Sequence, residues 1–264
     1  MKNFLRDILP PALYRALRMH PFRRYGWFGD YSSWDEAQRH CVGYDNAIIL
    51  EKVKNALLKV KNGEAAFERD SVLFDSPEYE WPILSWLTWV AALNHGRLNV
   101  LDFGGSLGST YFQNRQFLKN IPDIKWNVVE QPHFVEEGRR TFQDEQLRFY
   151  YTVDECLKEN KVDIALLSSV LPYIPEPYKQ LEVFSQIEFI ILDKTPLIAT
   201  DRDRLTVQKV PPSIYQASYP AWFFSEQKFY NFATRHHEIV AEVKRDLYAN
   251  FPAAFKAILL RKIK

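Results

Sequence analysis

Cysteine is nearly missing from this 264-residue chain: Cys41 and Cys156 stand far apart in no paired motif, which excludes a disulfide framework and points to a reducing, cytoplasmic setting. Long apolar runs are missing too. The strongest, Trp86 to Leu93 and Phe189 to Leu192, fall far short of the roughly 20 residues a spanning helix needs, so no bilayer crossing is expected. Lys2, Arg6 and Asp7 interrupt Met1 to Leu9, which lacks the apolar core and small-residue cleavage site of an export signal. Neither sign of charge dominates: 34 basic against 33 acidic residues leave a net charge of +1, too weak a field to argue for nucleic acid. Glycine is scarce, at 9 residues, and three of them cluster at Gly104, Gly105 and Gly108.

What is present is ample apolar material, 47% of residues, with 25% charged, enough for one sizeable core in one large domain or a domain with an appendage. The segment 1–24 is basic, holding Lys2, Arg6, Arg15, Arg18, Arg23 and Arg24 against Asp7, with aliphatic residues between them and a break at Pro10-Pro11. Such an arm lies on anionic lipid at the inner face of a membrane, or docks on its own domain or on a second subunit. Gly26 to Trp34 reads as an aromatic loop closed by Ser33, an N-cap with Glu36 three residues on. Helical spacing follows at Ile48 to Val60 and Pro82 to Leu93, so residues 1–96 are expected to form a mainly helical extension. Its tryptophans suit either a packed helical layer or a lid over a site.

Beyond Asn94-His95-Gly96 the pattern changes. Leu98 to Phe103, Trp126 to Glu130, Leu147 to Thr152, Val162 to Ser168 and Phe189 to Asp193 read as buried strands, separated by helices at Ser109 to Leu118, Phe134 to Phe142, Val153 to Asn160 and Pro177 to Gln186. This alternation predicts an α/β domain over 97–264 with a parallel, doubly wound sheet. After a helix at Glu226 to Arg235, strands at His237 to Val243 and Phe255 to Arg261 are expected to form a hairpin antiparallel to the rest. Ile198 to Phe224 looks long and irregular, and loops of that length at such an edge usually cover a site.

The glycine cluster follows the first of these strands, in Asp102-Phe103-Gly104-Gly105-Ser106-Leu107-Gly108, and opens a helix. Glycine there lets a backbone approach a ligand closely. Asp102 can accept from an ammonium group, and Glu130, ending the second strand, can take both hydroxyls of a ribose. The dinucleotide pattern G-x-G-x-x-G would need glycine at Phe103. The pattern acid-x-G-x-G-x-G fits Asp102, Gly104 and Gly108 but has Ser106 in the middle position. An acid beside the turn opposes a pyrophosphate and favours a cationic cofactor.

Asp102 to Gly108, Glu130, the segment Asp163 to Tyr173 and the terminal hairpin together resemble the class I S-adenosylmethionine-dependent methyltransferases, over about residues 97–264. More narrowly, the Trp27 to Trp34 segment with LDFGGSLGS, VVEQP, SSVLPYI and SYPAWFFS is similar to a group of bacterial proteins classed as methyltransferases and often associated with surface-polysaccharide biosynthesis. The resemblance implies a Rossmann-like seven-stranded sheet with the last strand inserted antiparallel, and S-adenosyl-L-methionine lying across the carboxyl ends of the first four strands. It implies that Asp102 and Gly104 face the methionine moiety, that Phe103, Gly105, Ser106 and Gly108 complete the cofactor-binding turn, that Glu130 and Gln131 face the ribose, and that backbone carbonyls at Ser168 and Ser169 approach the cofactor, unless the serines only cap a helix. Tyr173 would border the reacting methyl.

An alcohol acceptor also needs a base near the methyl, for which Asp193 and Tyr173 are the candidates; each has an alternative as an ion-paired or core residue. Tyr215, Tyr219 and Trp222 either stack on a sugar ring or pack the sheet edge. His133 and the His236-His237 pair show no metal-ligand spacing, so no metal is expected. The resulting expectation is methyl transfer to oxygen on a sugar or surface-glycan precursor. A nicotinamide-dependent oxidoreductase and a non-catalytic scaffold subunit are its rivals.

Overall fold

The computed structural model describes residues 24–42, 46–69, 72–76, 78–211 and 217–263. The basic arm, apart from Arg24, and Tyr215 lie outside them. In chain order the elements are β1 (Gly26–Tyr31), α1 (Trp34–Arg39), α2 (Asn46–Lys61), β2 (Phe67–Arg69), β3 (Val72–Phe74) and α3 (Trp81–Leu93). The alternating part follows: β4 (Arg97–Phe103), α4 (Ser109–Leu118), β5 (Asp123–Val129), α5 (Pro132–Thr141), β6 (Leu147–Tyr150), α6 (Val153–Glu159), β7 (Ile164–Ser168), a 3-10 turn (Leu171–Tyr173) and α7 (Pro177–Glu182). The chain then runs through β8 (Phe189–Ile198), β9 (Arg204–Lys209), β10 (Ser218–Ser225), α8 (Glu226–Ala233), β11 (His237–Arg245) and β12 (Ala254–Lys262).

Seven strands form the central sheet in the order β6-β5-β4-β7-β8-β12-β11. β4, β5, β6, β7 and β8 are mutually parallel. β12 is antiparallel to β8 and to β11. β11 therefore points the same way as the parallel strands, which corrects the expectation of a hairpin antiparallel throughout; only its second strand is reversed.

Alternation along the strands serves two cores. Val100, Ile164, Leu166, Ile191 and Leu259 face one side, where α2, α3 and α4 supply Leu57, Leu87 and Phe112. Leu101, Ala165, Leu167, Ile190 and Leu260 face the other, where α6, α7 and α8 supply Cys156, Leu181 and Phe229. Burial on both faces is why these strands read as unbroken apolar runs.

Outside this frame the structure departs from the sequence reading. The stretch 198–224 is a β-meander: β10 is antiparallel to β9, β9 to β1, and the tip of β8 is parallel to β10 at Leu197 and Ile198. The predicted aromatic loop is thus strand β1, tied in by Asn250, whose side chain accepts from Trp27 N at 2.7 Å and donates to Trp27 O at 2.8 Å. β8 runs past Asp193 because a bulge, with Lys194 at φ 55°, absorbs the register shift opposite Lys256 and Ile258. The N-cap expectation is met: Glu36 N donates to Ser33 Oγ at 3.2 Å, while the Glu36 carboxylate reaches back to Ser32 N. Three of the tryptophans of the first third pack, Trp27 edge-on to Phe223, Trp34 stacked on Trp222 and Trp86 in the core, while Trp81 and Trp89 are exposed. No helix among the described residues is long and apolar enough to cross a membrane.

Candidate active site

The chain moves from β4 to β5 and β6 on one side, then returns to β7 on the other, so the order reverses at β4. Ligands of open α/β sheets bind outside the carboxyl ends of the strands at such a point. A cleft of about 720 Å³ opens there. Phe103 and Gly104 from the tip of β4, Glu130 and Gln131 from β5, and Ser168 and Ser169 from β7 line it. Its outer wall comes from Tyr173, Gln208, Val210, Pro211 and Tyr219. The meander is therefore part of the site, standing over the strand tips.

The glycine turn is shaped by close approach. Gly104 has φ 72°, and a Cβ there would sit 2.6 Å from Val170. A Cβ on Gly105 would fall 2.5 Å from the Asp102 carboxylate. Ser106, where the generic pattern has glycine, adopts the left-handed conformation at φ 57°, a strain that glycine would avoid. Gly108, at φ 92°, is the N-cap of α4 and is buried against Leu147. Gly105, Ser106 and Gly108 support the turn from behind and do not line the cleft.

Of the two predicted carboxylates, Glu130 lines the cleft and Asp102 does not: the expectation that Asp102 faces the ligand is corrected, since its side chain is buried behind the glycine turn. Asp102 is 1% exposed and accepts from Trp126 Nε1 at 2.9 Å. Burial pushes its carboxyl up to about 7, with the charge of nearby Glu130 adding to the shift and the indole hydrogen bond opposing it. Burial also raises Glu130, against hydrogen bonds from the N–H groups of Gln131 and Ser106. The Gln131 bond is 2.6 Å. Among the described residues lining the cleft there is no Lys, Arg or His. Glu130 is the one ionisable carboxylate among those described lining residues.

The two proposed bases part company. Tyr173 lines the cleft, donates to Gln208 Oε1 at 2.8 Å and meets Tyr219 edge-on at 5.2 Å. Asp193 does not line it: the side chain is 1% exposed, accepts from Ser168 Oγ at 2.8 Å and has Arg245 Nε at 3.1 Å. Direct contact of Asp193 with a ligand is blocked by Ser168. Tyr219 and Trp222 are three residues apart on one strand and so point to opposite faces of β10. Tyr219 reaches the cleft; Trp222 stacks on Trp34 at 6.5 Å. The idea that both hold one sugar is corrected by that alternation.

Sequence reasoning missed Tyr151, just past β6, whose ring lines the cleft and has the Arg139 guanidinium 4.6 Å from its centroid. Its signal was the last aromatic of the run LRFYYT. Gln208 and Val210 carried no signal, since the meander itself was read as irregular. Glu68 on β2 was missed as well: it is 5% exposed and accepts from Ser109 Oγ, which places a carboxylate at the first residue of α4.

The N-terminal domain of EvdMO1, solved in the presence of SAH and D-fucose, matches with a TM-score of 0.50 at 13% identity, over 83% of this chain and 98% of that one. The chain has the Rossmann-like methyltransferase fold. Lower scores connect it to the N-methyltransferase NodS from Bradyrhizobium japonicum WM9 in complex with S-adenosyl-L-homocysteine (TM-score 0.44, 13% identity, 80% of this chain and 100% of that one). Magnesium protoporphyrin IX methyltransferase (ChlM) from Synechocystis PCC 6803 with bound SAM scores 0.43, at 14% identity over 99% and 97% of the two chains. No protein-family model and no curated protein matches the chain.

Proposed function

We propose that the chain is an S-adenosylmethionine-dependent methyltransferase acting on a hydroxyl of a sugar or surface-glycan precursor. The observation that carries this reading is Glu130 in a switch-point cleft whose described lining holds no cation, with the Asp102 carboxyl buried behind the glycine turn beside it. The ammonium and sulfonium of the cofactor supply the missing positive charge, and Glu130 is suited to the ribose hydroxyls. Bound there, the cofactor supplies an electrophilic methyl group. Tyr151, its ring backed by Arg139, offers a flat face for adenine. The N-terminal domain of EvdMO1, a neighbour that shares the fold, was solved in the presence of SAH, which supports the same cofactor here.

A dinucleotide fits this site poorly. In nicotinamide enzymes the pyrophosphate rests on the first helix N-terminus. Here the Glu68 side chain accepts from Ser109 at the first residue of α4, which puts an acid beside the place a pyrophosphate would take. For the acceptor, Tyr173, Tyr219 and Gln208 form an aromatic wall with amide and hydroxyl groups, suited to a neutral polyhydroxyl ring.

Calorimetry tests the cofactor: S-adenosylhomocysteine should bind at least tenfold more tightly than NAD, and the reverse order would sink the proposal. Mass spectrometry of labelled methyl over a panel of nucleotide sugars and free hexoses tests the acceptor class. Label recovered only on amines would reject the sugar reading while keeping the enzyme class.

A further inference from the structure

Asp193 reaches the cleft only through Ser168, and that link decides what Ser168 can offer. A serine hydroxyl has one proton to donate. Ser168 gives it to Asp193 Oδ2 at 2.8 Å, so the lone pairs of Ser168 are what remain for the cleft it lines.

Asp193 is fixed from several directions. It lies directly opposite Ser168 in the β7/β8 register, and its main-chain oxygen accepts from Ser169 N at 3.0 Å. On Oδ1, Arg245 Nε stands at 3.1 Å but is not aligned as a hydrogen-bond donor. Arg245 is in turn ion-paired with Glu80 at the start of α3, and Lys194 lies 3.5 Å from Glu80 and 3.8 Å from Asp193. The bulge at Lys194 directs this cluster toward the strand tips, as bulges beside sites often do.

The geometry points to a proton relay in which Ser168 accepts a hydrogen bond from the hydroxyl of the methyl acceptor and hands its own proton to Asp193. This rests on the methyltransferase reading above. As the acceptor oxygen forms its bond to the methyl carbon, the carbon–sulfur bond of the sulfonium donor breaks and its electron pair stays on sulfur. The acceptor's proton moves to Ser168 Oγ while the serine proton moves to Asp193 Oδ2, so charge and protons balance. An oxygen gaining a methyl group becomes strongly acidic, and a carboxylate is base enough for it. Tyr173, the other candidate base, donates its hydroxyl to Gln208, an amide oxygen that takes no proton at neutral pH. Ser168 is then the catalytic contact and Asp193 the positioning residue.

Neutron diffraction from a deuterated crystal holding S-adenosylhomocysteine reads the relay without turnover. The Ser168 deuteron should lie between Oγ and Asp193; a deuteron aimed into the cleft, with that ligand bound, overturns the relay and leaves the methyltransferase reading intact. Failure of S-adenosylhomocysteine to bind would instead sink the reading itself. On the nucleotide-sugar and hexose panel, Ser168→Ala and Asp193→Asn should each lower kcat roughly 100-fold with the calorimetric affinity for S-adenosylhomocysteine unchanged. The double variant should be no worse than either single one, and Ser168→Thr should recover most of the rate. Should Asp193→Asn fail to fold because Arg245 loses one of its two carboxylate partners, Ser168→Ala and its Thr rescue still decide, and full activity in Ser168→Ala overturns the relay.

Discussion

At the scale of single residues, Asp102 holds function and stability in opposition. Its folded carboxyl is raised to about 7 from 3.8, chiefly by burial. Between those values the unfolded chain has released this proton and the folded chain keeps it. The group therefore favours folding fully below pH 4, and that advantage is lost as pH rises through 7. The difference corresponds to about 4 kcal/mol once the group is ionised. Asp102→Asn keeps an oxygen for Trp126 and removes the charge, so its melting temperature at pH 8 should exceed that of the wild type by several degrees, with the gap closing at pH 4. The same variant should bind S-adenosylhomocysteine at least tenfold more weakly. Scanning fluorimetry at the two pH values, with calorimetry, measures both effects; equal melting curves at pH 8 would mean that Asp102 is not held uncomfortably.

At the scale of elements, legibility followed burial. β4, β5, β7 and α4 were readable because strands covered on both faces must be apolar throughout, and because Gly108 marks where a helix starts. The glycine turn was readable for a similar reason, since backbone that must come close leaves glycine behind. The meander was not. β9 lies outside the two main cores and β10 enters one of them only near its end, at Trp222 and Phe224, and Pro220 and Pro211 looked like loop residues, although Pro220 is accommodated opposite Val207. Pro196 and the Asp193-Lys194 pair likewise hid the second half of β8. Tyr219 and Trp222 test the alternation of β10. Tyr219→Ala should raise the acceptor KM severalfold at a stability cost near 1 kcal/mol, whereas Trp222→Ala, which empties the stack against Trp34, should cost about 2 kcal/mol or more and leave KM alone. Kinetics and urea melts on both variants would separate them; a KM effect in Trp222→Ala would place that ring in the site after all.

At the scale of the whole molecule, the candidate site joins parts that the chain keeps far apart. Its floor is the parallel sheet, its wall the meander that carries β1, and Asp193 behind it is tied through Arg245 to Glu80 of the first segment. The free edge at β11 is guarded: a register shift between Ile239 and Ala241 interrupts its regular face, and Lys244 is exposed on it. Because β4, β5, β6, β7, β8 and β12 each contribute residues to both cores, neither core can melt while the sheet stands. One transition is therefore expected, seen together by near- and far-ultraviolet circular dichroism. Cofactor product bound on the strand tips should move it as a unit. At a hundred times its dissociation constant a ligand stabilises by about 2.7 kcal/mol, which at roughly 2 cal/mol/K per residue of unfolding entropy lifts the midpoint of a chain this long by about 5 °C. Two separate transitions, with S-adenosylhomocysteine shifting only one, would show that the meander and the sheet fold independently and that the cleft is not the shared seam inferred from its walls.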